Sequence, residues 1–252
     1  MCKGVVLAGG TGSRLRPLTE VTNKHLLPVY DWPMIFYPIN TLKLLGITDI
    51  CVVVGGNSVG DVLNLLGDGS RFGVRLTYKH QSSAGGIAQA LELTRDFVGS
   101  DSVTVILGDN VFLQAPDGFA DGDSTPCVVT TRVQNPEDFG CVVWGGLESG
   151  EVPYISEIVE KPASPPSNSI VTGLYHYPND VFCMIEKLKP SDRGELEITD
   201  VNNMMIERYG GLSYAEVEEG SWLDAGSVDS IFLATSSVRE GKIFHEFRSS
   251  IG

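Results

Sequence analysis

The chain has 252 residues, near the upper size for one hydrophobic core, and its 42% hydrophobic content includes no apolar run near the ~18 residues that span a bilayer. With 32 acids against 18 bases and a formal charge of −14, it lacks the basic stripe that neutralises a nucleic-acid backbone. The opening MCKGVVLAGG has neither the charged start nor the long apolar stretch of an export signal, so a cytoplasmic protein built as one main domain is expected.

Residues 5–8 read as a short buried strand that ends on a glycine-rich loop, Gly9-Gly10-Thr11-Gly12-Ser13. Without side chains at the glycines, backbone N–H groups can reach an anion, and the hydroxyls of Thr11 and Ser13 add donors. Arg14, Arg16 and Lys24 follow, with Glu20 the one acid among them, so positive charge is concentrated here in an otherwise acidic chain. The loop reads as a phosphate site. Spacing excludes two familiar versions: a dinucleotide fingerprint needs glycine where Leu15 stands, and the Walker A string G-x-x-x-x-G-K-[ST] is absent.

Residues 34–45 carry Ile35, Ile39 and Leu42 on a helical stripe closed by Gly46. Residues 50–54 then read as a strand, 59–66 as a helix and 74–79 as a strand, an alternation that predicts a parallel sheet covered on both faces. Gly56-Asn57-Ser58-Val59-Gly60 matches the G-x-S-x-G nucleophile elbow. None of the four histidines (His25, His80, His176, His245) shows the partner pattern of a hydrolase base, and 29 glycines make a chance match easy.

Residues 81–90, QSSAGGIAQA, form a polar loop entering a helix with Ile87, Leu91, Thr94 and Val98 on one side. Gln81 offers a donor and an acceptor, which suits a pyrimidine edge. Residues 102–107 are an apolar strand ending in Gly108-Asp109-Asn110, where open α/β sheets place ligands and an aspartate offers a hard oxygen to Mg²⁺. The acids from Asp117 to Asp123 lack the order of a calcium loop and read as a solvated turn.

Strands are expected over 126–133 and 140–144, and residues 153–160 lead into Glu160-Lys161-Pro162, taken alone an ordinary surface pair. The proline-rich stretch 162–169 connects to a strand over 170–177, followed by a helix over 179–187. Thr199 is expected to cap a helix running to Arg208, and a last helix covers 228–240. Five widely spaced cysteines form no C-x-x-C pair or Cys/His cluster; they read as buried thiols in a reducing compartment, with no zinc site and no disulfide framework.

The run G-G-T-G-S-R-L-x-P-L-T, then N-K-H-L-L-P-V and P-M-I-F-Y-P-I-N, resembles the start of the sugar-1-phosphate nucleotidylyltransferases, the family of glucose-1-phosphate thymidylyl- and uridylyltransferases. L-G-D-N at 107–110, E-K-P at 160–162, V-T-G-L-Y-H-Y at 171–177, R-G-E-L-E-I-T-D-V-N at 193–202 and W-L-D-A-G-S at 222–227 continue the likeness in order. It implies a Rossmann-like α/β nucleotidyltransferase with an open, mostly parallel, twisted sheet covered by helices on both faces. A nucleotide-binding part over about 1–110, a small β-rich sugar-binding elaboration over about 111–226 and a C-terminal helix beyond would form a single domain.

The same resemblance implies that Leu7, Gly9, Gly10, Thr11, Gly12, Ser13, Arg14, Gln81, Gly86 and Asp109 meet the nucleotide. Gly140, Glu160, Lys161, Val171, Tyr175 and Arg193 would meet the sugar phosphate, and Asp109 with Asp224 would hold Mg²⁺. Arg14, Lys24 and Lys161 would be catalytic, neutralising and aligning phosphates as a sugar-1-phosphate attacks the α-phosphorus of dTTP or UTP and pyrophosphate leaves. Substrates are thus a nucleoside triphosphate and a sugar-1-phosphate, glucose-1-phosphate foremost, with no nucleic-acid or membrane partner and a homo-oligomer, dimer or tetramer, as the assembly.

Departures from the family pattern bear on specificity. Ser82 replaces a proline of the base loop, Trp32 a lysine, Phe139 a tyrosine that often faces the sugar, and Cys141 a valine. Base and sugar therefore stay open, including a cytidylyltransferase acting on another phosphorylated acceptor. A non-catalytic nucleotide-binding regulatory homologue is expected to have lost a charged catalytic residue, whereas Arg14, Lys24, Asp109, Lys161 and Asp224 are all present. Longer members add C-terminal helices with a regulatory nucleotide site, implied to be missing or altered here.

Overall fold

In β1 (Cys2–Ala8), Val5 and Leu7 point to one face and Val6 and Ala8 to the other, and each pair enters a different hydrophobic cluster. A strand apolar on both sides must be covered on both sides, and the chain supplies the covers in turn. The computed structural model describes residues 1–56, 58–120, 125–146 and 153–242. After β1 come the two-residue strands β2 (Pro28–Val29) and β3 (Trp32–Pro33), then α1 (Phe36–Leu44), β4 (Asp49–Gly55), α2 (Val59–Leu66) and β5 (Arg75–Gln81). The next elements are α3 (Ile87–Glu92), α4 (Arg95–Val98), β6 (Ser102–Leu107) and β7 (Asn110–Phe112).

The second half is richer in strands: β8 (Cys127–Arg132), β9 (Gly140–Gly145), β10 (Tyr154–Glu160) and β11 (Ser169–Tyr177) precede α5 (Val181–Ile185) and α6 (Ile198–Tyr209). The short strands β12 (Ser213–Glu216) and β13 (Trp222–Asp224) lead to α7 (Val228–Ser237). The main sheet runs β10-β9-β11-β6-β1-β4-β5, with β8 paired to β11 and β12 to β8. From β6 to β5 every pairing is parallel, and β11 enters antiparallel to β6. The Rossmann-like parallel half and the β-rich elaboration therefore share one sheet.

Helices α1 and α2 cover one face with Ile39, Leu42, Val62 and Leu66, and α3, α5 and α6 cover the other with Leu91, Phe182, Val201 and Met205. Burying each such side chain contributes about 1.5–3 kcal/mol. A third cluster, including Val29, Tyr37, Val111, Leu223 and Ala234, binds the short β7–β13 ladder to α7. Parallel strands β1 and β6 lie side by side while the chain continues from β1 outward through β4 and β5, so the strand order reverses between β1 and β6. Crevices at such a reversal, beyond the strands' C-terminal ends, are where open sheets take ligands.

Several local expectations change. The stretch expected as one helix through Val98 is broken at Thr94 into α3 and α4, and the Thr94 hydroxyl is spent on Leu91 O. The helix read over 179–187 is the shorter α5, Val181–Ile185. Cys51, Cys127 and Cys141 are buried as expected, Cys2 is half-buried and Cys183 is exposed on the outer side of α5. In the elbow-like string Asn57 lies outside the described residues, and the buried histidines bond elsewhere, His25 to Asn23 and His176 to Thr104. Part of the acidic turn, residues 121–124, also lies outside them.

Candidate active site

The glycine loop follows β1 directly. Gly12 adopts φ 66°, a conformation that glycine takes without strain, and begins the short turn Ser13–Leu15 that sends Arg14 outward while burying Leu15. Gly9 is pressed against the Gln81 side-chain oxygen, from which an added Cβ would stand only 1.9 Å. Gly10 faces Lys24, whose Nζ would stand 3.4 Å from an added Cβ. The loop, Lys24 and the end of β5 thus meet at the C-terminal ends of the parallel strands.

Asp109 follows β6 at the same edge. Its Oδ2 accepts from Lys24 Nζ at 2.5 Å, both side chains being largely buried. Burial pushes the Asp109 carboxyl up, but the Lys24 ammonium together with the other charges and hydrogen bonds around it outweighs burial and holds the group below the usual carboxylate range. His25, fully buried beside the pair, is driven down to about 3 by burial and then by Lys24, so it is neutral. A Cβ on Gly108 would lie 2.6 Å from His25 Cδ2 and 2.9 Å from Leu7 O, which is why glycine precedes this aspartate.

Asp224 arrives from the far end of the chain. Strand β13 pairs antiparallel with β7, placing Asp224 opposite Asn110, and Ala225 N donates to Asp109 O at 2.8 Å. Arg14 Nη2 stands 3.8 Å from Asp224 Oδ2. Burial, and then the Asp109 charge, push the Asp224 carboxyl up to about 6. Two neighbouring buried acids, one resisting ionisation because of the other, are what a divalent cation relieves. Two protein oxygens fit Mg²⁺, which keeps most of its shell for water and phosphate. Among the described residues no group of three or more His, Cys, Asp or Glu side chains could cage a metal alone.

Asn110, to which the sequence assigns no role of its own, ties these parts together. Its Oδ1 accepts from Gly173 N at 2.9 Å and from Trp222 Nε1 at 2.6 Å, linking β7, β11 and β13 in the interior. Asn110→Leu is expected to leave both donors buried and unpaired and to cost about 3 kcal/mol of stability, read by urea unfolding. A loss under 1 kcal/mol would show the link to be dispensable.

A cavity of about 820 Å³ opens from the carboxylate pair. Arg14, Asp109, Gly140, Glu160, Lys161, Val171, Tyr175, Arg193 and Asp224 all line it. Leu7, Gly9, Gly10, Thr11, Gly12, Ser13, Lys24, Gln81 and Gly86 do not; Leu7 and Gln81 are in β1 and β5, the glycine loop follows β1, and Gly86 packs against the Leu196 backbone. Glu160 accepts from Thr199 Oγ1 at 2.6 Å and lies 3.5 Å from Arg193 Nη2. Thr199 therefore does not cap α6: Glu197 holds that position, and the Thr199 hydroxyl orients Glu160 instead. Lys161 has φ 44°, unusual for a residue with a side chain, and its N–H donates to Phe139 O at 3.0 Å. Phe139 packs edge-on to Trp222 at 5.5 Å. A second cavity of about 480 Å³, beside Cys2, Thr104 and His176, lies at the opposite edge of the sheet, away from this chemistry.

The family model described as nucleotidyl transferase matches residues 3–241. A Neisseria meningitidis protein named glucose-1-phosphate thymidylyltransferase is 43% identical over 243 residues, 94% of this chain and 82% of its own. A solved Bacillus anthracis structure, described as a candidate glucose-1-phosphate thymidylyltransferase in complex with a sucrose, superposes with a TM-score of 0.85 at 46% identity, covering 98% of this chain and 99% of that one. A UDP-glucose pyrophosphorylase structure at 24% identity, TM-score 0.78, covering 96% and 100% of the two chains, shares the fold. With the match running nearly end to end and the cavity built from the matched motifs, the chain belongs to the nucleotidyl transferase family.

Proposed function

We propose that this nucleotidyltransferase joins dTTP to glucose-1-phosphate, releasing pyrophosphate and forming the nucleotide sugar. The observation that carries the reading is the convergence of Arg14, Asp109 and Asp224 on a cavity also lined by Glu160, Lys161 and Arg193, with Lys24 paired to Asp109. The reactants are both anionic, so the chemistry asks for neutralisation and alignment; the sugar phosphate is already ionised and needs no general base. The backbone of Gly9–Ser13 and Arg14 hold the triphosphate and the departing pyrophosphate, and Lys24 and Lys161 line up the attacking phosphate. Glu160, oriented by Thr199, receives sugar hydroxyls. Mg²⁺ held by Asp109 and Asp224 would supply charge neutralisation at the α-phosphate. No helix among the described residues is long and apolar enough to cross a membrane. A cytoplasmic homo-oligomer is part of the proposal, and sedimentation tests the assembly.

Pyrophosphate release across dTTP, UTP, CTP, ATP and GTP with a panel of sugar-1-phosphates is the direct test. Mg²⁺-dependent turnover with dTTP and glucose-1-phosphate is expected; purine preference, or full rate in excess EDTA, would refute the reading. Lys161→Ala is expected to raise KM for the sugar phosphate at least about tenfold while leaving dTTP affinity by calorimetry nearly unchanged. Lost dTTP binding would move Lys161 to the nucleotide side.

A further inference from the structure

Two glutamine side chains meet where β5 runs into α3. Gly85 donates its backbone N–H to Gln89 Oε1 at 3.2 Å. A backbone N–H can only donate, so it determines which end of the Gln89 amide is oxygen. The same oxygen accepts from Gln81 Nε2 at 2.8 Å, and Gln89 Nε2 reaches Ser83 Oγ at 3.4 Å. Gln81 is thereby held with its nitrogen toward α3 and its oxygen turned onto Gly9 of the phosphate loop. Turning the Gln81 amide over would set two oxygens against each other. Turning both amides would set the Gln89 nitrogen against the Gly85 N–H, donor against donor.

We propose that Gln89 is a specificity-determining positioning residue: by locking Gln81, it converts a side chain able to donate or accept into one that presents an acceptor to the base. The proposal rests on Gln81 contacting the base in the reading above. Thymine and uracil carry a donor at N3 and match this oxygen. Cytosine carries an acceptor at N3 and meets it with two lone pairs opposed, a mismatch that costs far more than a lost methyl contact. A glutamine free to rotate its amide would accept both kinds of edge.

Calorimetric binding of dTTP, UTP and CTP in the presence of Mg²⁺, without acceptor sugar, tests the lock in the wild-type protein, Gln89→Met and Gln89→Glu. Gln89 is half-buried and methionine has its length, so the variant is expected to fold, which its melting temperature checks. The wild type is expected to favour dTTP and UTP over CTP at least about tenfold. Gln89→Met should bring the three within about threefold, whereas Gln89→Glu, whose carboxylate accepts from both Gly85 and Gln81, keeps the preference. Equal binding of CTP and dTTP by the wild type overturns the proposal. So does a methionine variant that weakens all three nucleotides alike, or a glutamate variant that behaves as methionine does. A protein that shows the expected binding pattern yet releases no pyrophosphate with glucose-1-phosphate fails the activity reading and leaves the role of Gln89 standing.

Discussion

Asp224→Asn is expected to lower kcat about a thousandfold or more while making the metal-free protein more stable at neutral pH. The two effects share one origin. Asp224 is pushed up to about 6 by burial and by Asp109, so ionising it in the folded state works against folding. Above pH 6 the carboxylate is charged in both states and the folded state bears the whole penalty. As pH falls toward 4 the folded protein takes up a proton that the unfolded chain does not, and the penalty fades. The asparagine variant should therefore gain about 1–3 kcal/mol in EDTA at pH 7.5 and almost nothing near pH 4, by urea unfolding at both values. An unchanged stability at pH 7.5 would mean that the two acids do not strain each other.

Lys24→Met should be inactive too, yet move stability the other way. The Lys24 ammonium is the close partner of Asp109, with both groups largely sequestered from water. Removing one member of such a pair leaves a buried charge uncompensated, a loss of about 3 kcal/mol or more. Unfolding of the metal-free variant is the measurement, and a midpoint equal to wild type would contradict the pairing. Added Mg²⁺ should restore more stability to this variant than to wild type, because the cation then faces two acids with no competing ammonium.

The parts of the candidate site to which the sequence points are those whose chemistry is local. Gly9–Ser13 announces an anion loop because glycine spacing and hydroxyls lie within five residues, and the apolar strand ending at Asp109 announces a ligand edge. Asn110, Gln89 and Thr199 could not be read so. Each suits an ordinary turn, helix face or cap, and its role comes from a partner supplied elsewhere: Gly173 and Trp222 for Asn110, Gly85 and Gln81 for Gln89, Glu160 for Thr199. The β/α alternation predicted the parallel half of the sheet. The pairing of β12 with β8 and of β11 with three neighbours is set by long-range packing that short strands do not advertise. Cys183 is exposed where the sequence suggests a buried thiol, because α5 is too short for its apolar stripe to reveal which side faces out.

The β7–β13 ladder also bears on how the protein is made. Asp109 is synthesised well ahead of its companion at position 224, with strands β8 to β12 and helices α5 and α6 made between them. A nascent chain can form the glycine loop, the parallel half-sheet and the Lys24–Asp109 contact while the carboxylate pair is still incomplete, because domains fold in part as they leave the ribosome. The carboxylate pair is thereby completed only once β13 has emerged and paired with β7, and a chain interrupted before β13 is left without the second acid.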